Sequence, residues 1–271
     1  MTDSSASPAG QAPPSNLDTT VAHTARVWNY WLGGKDNFAP DREAGDAVAQ
    51  MFPLIRTTAR ADRAFLGRVV RYLVGEAGIR QILDVGTGLP TANNTHEVAQ
   101  GVAPETRIVY VDNDPLVLVH ARALLTSTPQ GATDYIEADL HEPGKILQEA
   151  ARTLDFDQPI ALTMLGVLHF VLDYDEARAI VRELMEALPA GSYLVIAHGC
   201  DDFNTEVIAE AITFWNANAK PPIRYRTEAE IVGLFDGYEL LEPGVVPCSH
   251  WHPDDPDAEP VNQYAGVARK S

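Results

Sequence analysis

Cysteine is nearly absent: Cys200 and Cys248 are the two in 271 residues, and no CxxC spacing occurs. That excludes a disulfide framework and a thiolate zinc site, and it suits a reducing compartment. Basic residues are also scarce. Lys and Arg number 20 against 38 Asp and Glu, a formal charge of −18. Such a balance argues against a nucleic-acid groove and an anionic membrane surface, both of which need clustered cations. No run approaches a membrane span, and the N-terminus has neither the basic nor the apolar region of a secretory signal. The expected setting is cytoplasmic and the expected partner a small-molecule substrate, with no nucleic acid and no membrane; oligomeric state is not legible. A further absence is the third glycine of a dinucleotide G-x-G-x-x-G, because Gly86-Thr87-Gly88 runs into Leu89-Pro90-Thr91.

What is present begins with 45% hydrophobic residues, enough for a sizeable core. Residues 1–20 are rich in Ser, Pro and Ala and are expected to be disordered. An aromatic segment follows, Arg26-Val27-Trp28-Asn29-Tyr30-Trp31-Leu32-Gly33-Gly34. Asp41 can cap a helix through about Met51, and a longer helix starts at Thr57 or Thr58. Phe65, Val69 and Leu73 give that second helix its apolar face, and Gly78 closes it.

From Gln81 onward strands and helices alternate, which is the signature of α/β winding. Strands are expected at 81–85, 107–111, 134–138, 160–165 and 192–197. Helices are expected near 93–100, 115–125, 143–153 and 174–188. Asp173 with Glu176, and Thr227 with Glu230, have the spacing of capped helix starts. Residues 238–246 and 261–268 read as two strands joined by a polar loop, so the last strand pairs antiparallel.

Three strands deliver an acid or glycines to their C-terminal ends, where an open α/β sheet holds its ligand. Gly86 and Gly88 let the backbone approach a ligand closely. Asp112 can accept two ribose hydroxyls, Asp139 can accept an adenine amino group, and Asp84 can attract a cationic amino-acid end. The alternative is that each is a turn or cap residue.

In these residues the chain resembles the class I S-adenosylmethionine-dependent methyltransferases, over about residues 80–271. The resemblance is carried by Asp84-Val85-Gly86-Thr87-Gly88, Asp112, Asp139-Leu140, Leu165-Gly166-Val167-Leu168-His169-Phe170 and Leu188-Pro189-Ala190-Gly191-Ser192. More narrowly, three stretches resemble an actinobacterial methyltransferase-like family long catalogued as a domain of unknown function. They are Arg26 to Asn37, Arg60-Ala61-Asp62-Arg63-Ala64-Phe65-Leu66, and Leu83 to Thr91. The resemblance implies a Rossmann-like, doubly wound, mostly parallel seven-stranded sheet with an antiparallel last strand. It implies S-adenosylmethionine as cofactor, with contacts at Gly86, Gly88, Asp112, Asn113, Asp139 and Leu140. Pro90 to Asn94 departs from the pattern and either opens the helix or lengthens the turn. The expected division is a tail over 1–20, a helical cap or lid over 21–79 and the cofactor-binding domain over 80–271.

The acceptor belongs beyond the strand ends. His169 is the candidate general base, since imidazole takes a proton near neutral pH; its other reading is a packed histidine. Arg26, Tyr30, Trp31, Arg60 and His198 are the candidate substrate contacts. The aromatics can instead anchor the N-terminal arm, and the arginines can instead pair with acids; Arg63 is expected to face solvent or an acid. His250 and His252, followed by Asp254, Asp255 and Asp257, allow a metal site, but the prolines among them suit an acidic loop better, and no metal is assigned. The expected activity is methyl transfer to a small molecule. A non-catalytic S-adenosylmethionine sensor and an NAD-dependent oxidoreductase are the alternatives.

Overall fold

The computed structural model of the chain describes residues 18–91, 93–117, 119 and 126–271. Residues 1–17 of the expected tail, and most of the expected helix 115–125, lie outside the described residues.

Strand β1 (Ala22–His23) leads into helices α1 (Thr24–Trp31), α2 (Ala39–Met51) and α3 (Ile55–Gly75). The α1 segment is a built unit. Asn29 packs where a Cβ on Gly34 would stand, 2.3 Å away, and its Oδ1 accepts from Asp36 N at 3.1 Å and Asn37 Nδ2 at 3.0 Å. Asp41, the expected cap of α2, sits inside its first turn and accepts from Phe38 N at 2.8 Å. Helix α3 begins slightly before the expected threonines, and Gly78 turns the chain at φ +74°.

The main sheet contains β2 (Gln81–Val85), β3 (Arg107–Asp112), β4 (Ala132–Glu137), β5 (Ala161–Leu165) and β6 (Tyr193–Gly199). These five run parallel, in the order β4-β3-β2-β5-β6. Between them lie α4 (Thr95–Val102), α5 (Pro143–Ala150) and α6 (Tyr174–Glu186). Then come α7 (Thr205–Asn218), β7 (Ala219–Lys220) and α8 (Glu228–Gly233). Strands β8 (Glu239–Leu240) and β9 (Val246–Pro247) precede β10 (Gln263–Arg269). Strand β10 pairs antiparallel with β6, Gln263 opposite Gly199 and Arg269 opposite Tyr193. The sheet is therefore doubly wound and mostly parallel, with the antiparallel last strand expected. The single strand expected at 238–246 is instead two short ones, β8 and β9, both on β10, because Gly244 (φ +88°) turns the chain between them.

Capping pairs fall where the sequence places them. Asp173 Oδ1 accepts from Glu176 N at 2.9 Å, and Thr227 and Glu230 bond reciprocally.

The core explains what sits over the strand ends. Phe65, Val69, Val70 and Leu73 of α3 pack on the sheet with Ile82, Ile108 and Val195. A separate cluster joins Val27, Trp31, Val48 and Phe52 of the N-terminal segment to Ile208, Ala211 and Trp215 of α7. The cap cluster is thus built from α1, α2, the first turns of α3 (Ile55 and Ala59) and α7, while the rest of α3 packs on the sheet. A small parallel pairing of β1 with β7 joins the two parts of the cap. Among the described residues, no helix is long and apolar enough to cross a membrane.

Candidate active site

A cavity of about 260 Å³ lies between the cap and the C-terminal ends of β2, β3 and β5. The strand ends supply its polar wall. Gly86 and Gly88 have φ of +79° and +67°, a region that costs a side chain dearly. At Gly86 the space is closed as well, since a Cβ would stand 2.5 Å from Val167. The turn is pinned by Gly86 N donating to Val111 O at 2.8 Å and Gly88 N donating to Asp112 Oδ2 at 2.8 Å. Asp112 Oδ1 accepts from Asp114 N at 2.9 Å. Burial raises the Asp112 pKa and these bonds pull it back only partly. Each carboxylate oxygen carries two lone pairs, so capacity for a ligand's hydroxyls remains.

Asp139 stands at the end of the next strand. Its Oδ2 accepts from Asn113 Nδ2 at 2.9 Å, and its Oδ1 from His141 N at 2.9 Å, with the His141 ring at 2.6 Å. Burial pushes its carboxyl up, but the bonds from His141 and Asn113 outweigh this and hold it below its ordinary value. Leu140 is buried beside it and lines the cavity. Asp84 is more enclosed. Its two oxygens accept from the Thr95 and Thr163 hydroxyls at 2.6 and 2.8 Å, and burial raises its pKa. All seven residues assigned to the cofactor line this one cavity.

Arg63 faces acids rather than solvent: it lies within the field of Asp84 and Asp62, donates to Asn94 Oδ1 at 3.2 Å and lines the cavity, a position that was not expected. The turn after Gly88 is lengthened, since α4 begins only at Thr95. Among the described residues no helix therefore begins directly behind the glycines, the arrangement that favours a pyrophosphate.

His169 lines the cavity in the short 3₁₀ turn Leu168–Phe170 after β5. Its Nδ1 is buried without a hydrogen-bond partner among the described residues, and its ring stands edge-on to Phe170 at 4.2 Å. Burial, aided by the charge of Arg226, pushes its pKa down to about 3, so the ring is neutral at physiological pH. Stability consequences follow by linkage. Below about pH 6.5 the unfolded chain binds a proton that folded His169 refuses, so stability is full above that pH and falls as acid is added, by up to about 1.4 kcal/mol per pH unit. Asp62, raised to about 6, opposes this from about pH 6 downward, its contribution being lost as pH rises. His169→Gln should flatten the loss of urea midpoint between neutral pH and mildly acidic pH. An unchanged slope would show that His169 does not titrate as its burial demands.

The substrate contacts divide. Trp31 lines the cavity, its Nε1 donating to Gly45 O at 3.0 Å. Arg26 does not: it is buried against Asp41 (Nε to Oδ1 3.1 Å) and its other nitrogens donate to the carbonyls of Asp18 and Val21. Tyr30 turns to Asp46 (2.9 Å) under the guanidinium of Arg56, and Arg60 is exposed on the outer face of α3. His198 is fully buried off the cavity, with Nδ1 donating to Gly199 O at 2.8 Å and Nε2 accepting from Arg226 Nη1 at 2.6 Å. These four expectations are corrected, because each side chain is spent on the protein's own backbone and acids or points to solvent. His250 and His252 reach the carbonyls of Ala258 and Glu242, and among the described residues no three His, Cys, Asp or Glu converge as metal ligands.

Sequence reasoning missed α7 altogether, and with it Ile208, Ala211, Ile212 and Trp215 of the cavity wall. Their i, i+3, i+4, i+7 spacing was the available signal. Asp62, Asn94, His141 and Tyr225 are further lining residues not singled out.

The comparisons with known proteins agree with this geometry. The S-adenosyl methyltransferase family profile matches residues 10–271. A crystal structure of a DUF574 family protein from Streptomyces avermitilis is 47% identical, with a TM-score of 0.90, over 94% of this chain and 99% of that one. One from Thermobifida fusca, a protein assigned as a methyltransferase, is 41% identical, with a TM-score of 0.87, over 96% of this chain and 98% of that one. No curated protein matches the chain. With a family match across nearly its whole length and a doubly wound sheet that ends in these acids and glycines, the chain belongs to the S-adenosyl methyltransferase family and is an S-adenosylmethionine-dependent methyltransferase.

Proposed function

We propose that this chain binds S-adenosylmethionine along the polar wall of the cavity and methylates a small molecule held between that wall and the cap. Asp112 binds the ribose hydroxyls, while Asn113, Asp139 and Leu140 enclose the adenine. Gly86 and Gly88 let the backbone come close to the ligand. Asp84, its oxygens already held by two threonine hydroxyls, serves the cationic amino group through its field, and Arg63 opposite it serves the carboxylate. Bound S-adenosylmethionine supplies an electrophilic methyl group on a sulfonium. The chain's own contribution is alignment and exclusion of water, which in-line displacement needs more than a large catalytic apparatus.

The observation that carries this reading is the convergence of Asp112, Asp139 and Asn113 on one wall of a cavity that also carries aromatic rings, among them Trp28, Trp31, Phe52, Phe170 and Trp215. It also favours a small acceptor, because the opposite wall is internal to the fold and the net charge repels nucleic acid. A ligand that binds only the folded state raises stability by about 2.7 kcal/mol at a hundredfold excess over its Kd. Melting curves with S-adenosylhomocysteine or NAD should therefore separate, only the former raising Tm. A rise with NAD alone would overturn the reading.

A further inference from the structure

The acceptor half of the cavity is walled by Trp28, Trp31, Phe52, Phe170 and Trp215. Among its described lining residues Arg63 is the one arginine, and there is no lysine. Into this apolar space one carboxylate is buried. Asp62, on α3, is 7% exposed; its Oδ1 accepts from Gln263 Nε2 at 3.2 Å, and its Oδ2 takes no hydrogen bond among the described residues. A carboxylate so placed is ordinarily held by several donors, so one long amide bond leaves it short of a proton donor.

Resting on the methyl-transfer reading above, we propose that Asp62 is a catalytic residue that binds, and takes the proton from, the hydroxyl of a flat, uncharged phenolic acceptor. Gln263 and His169 border the same spot at the end of β5. A Cβ on Gly166 would lie 3.6 Å from Gln263 Nε2 and 3.7 Å from His169 Cε1. Around Asp62 stand Arg63 on its own helix, His169 after β5, Tyr225 ahead of α8, Cys248 after β9 and Gln263 on β10. Burial first, then the Asp62 charge, pushes the Tyr225 phenol up to about 12 and the Cys248 thiol well above its usual value. His169, held near 3, also stays neutral. Asp62 itself is raised by burial to about 6, against the opposing pull of Gln263 and Arg63. Of the carboxylate, imidazole, phenol and thiol gathered here, Asp62 therefore has the ionisation suited to a base at neutral pH.

The chemistry selects the acceptor. An aliphatic amine would arrive as ammonium, and a buried carboxylate would hold it protonated with no lone pair to attack. An anionic acceptor would meet Asp62 as a like charge. A phenol keeps a lone pair on oxygen while donating its proton, and its ring suits walls of Trp and Phe. In the step, the O–CH₃ bond forms as the sulfur–methyl bond breaks and the hydroxyl proton passes to an Asp62 oxygen. Sulfonium and carboxylate together become thioether and carboxylic acid, so the opposite charges vanish. That loss of charge is favoured where water is excluded.

The test uses para-nitrophenol, whose absorbance reports its own ionisation, added to the full chain saturated with S-adenosylhomocysteine. At a pH just above the dye's own ionisation, binding should suppress the phenolate band. Asp62→Asn, which keeps volume and a partner for Gln263, should restore that band and weaken binding of the neutral dye by roughly tenfold. S-adenosylhomocysteine affinity should stay within about twofold, which also reports that the variant folds. Should Asn destabilise the chain, the wild-type band alone still decides the dye's protonation. No dye binding, tighter binding of para-nitrobenzoate or para-nitroaniline, or a phenolate band freed by His169→Gln and untouched by Asp62→Asn would each overturn the proposal. Failure of S-adenosylhomocysteine to bind the wild-type chain would instead sink the methyl-transfer reading beneath it.

Discussion

Arg226→Met is expected to destabilise the chain by about 3–5 kcal/mol, read as a fall in urea midpoint with the slope unchanged. The side chain is fully buried, and among the described residues no carboxylate forms an ion pair with it. Its charge is spread instead over acceptors. Nη1 donates to Leu168 O at 2.9 Å and to His198 Nε2 at 2.6 Å, and Nη2 donates to Val171 O at 2.6 Å. The guanidinium also lies 5.8 Å from the centre of the Tyr174 ring. Removing it leaves His198 Nε2 and Val171 O without their donor, each at about 1–3 kcal/mol, while Leu168 O keeps the bond from Val171 N at 3.2 Å. Relief from burying a cation offsets part of this loss. Burial lowers the Arg226 pKa, the sign that this cost is present in the native protein. The carbonyls it holds belong to the turn that carries His169, so the cavity floor should loosen along with global stability. A variant as stable as the parent would show that this cation does not fasten the turn.

Asp112→Ala should weaken binding of S-adenosylhomocysteine by about 1–3 kcal/mol, roughly ten- to hundredfold, because charge-assisted hydrogen bonds to the ribose are lost. Gly88 N also loses its acceptor, which frees the glycine turn. Stability should respond differently. Burial raises the Asp112 pKa, so the folded chain holds this carboxylate at some cost, and Ala removes that cost along with two backbone hydrogen bonds. Affinity should fall while Tm in the absence of ligand changes little. Calorimetric titration with melting curves on the same samples checks both; equal losses of affinity and stability would assign Asp112 a structural role.

The strand ends were legible because their signal is local. An apolar run, then Asp or Gly, identifies Asp84, Gly86, Gly88, Asp112 and Asp139 without knowing what lies across the sheet. The antiparallel close was legible for the same reason, since no helical pattern separates 246 from 261. Side chains on helices were not. Arg60 and Arg63 lie in adjacent turns of α3, yet one is exposed and the other faces the cavity, a difference set by how α3 crosses the sheet. Arg26 and His198 have the right chemistry for a substrate. They are consumed by partners distant in sequence, Asp41 and Arg226, that no spacing reveals. The part of α7 in the cap cluster was not legible, because α7 follows β6 and comes far later in the chain than α1 and α2.

A crystal structure of the chain soaked with S-adenosylhomocysteine tests the central claim most directly. The prediction is an adenosine whose ribose hydroxyls meet the Asp112 carboxylate and whose adenine lies between Asn113, Asp139 and Leu140. Ligand bound elsewhere, or an Asp112 side chain turned away from the ribose, would contradict it.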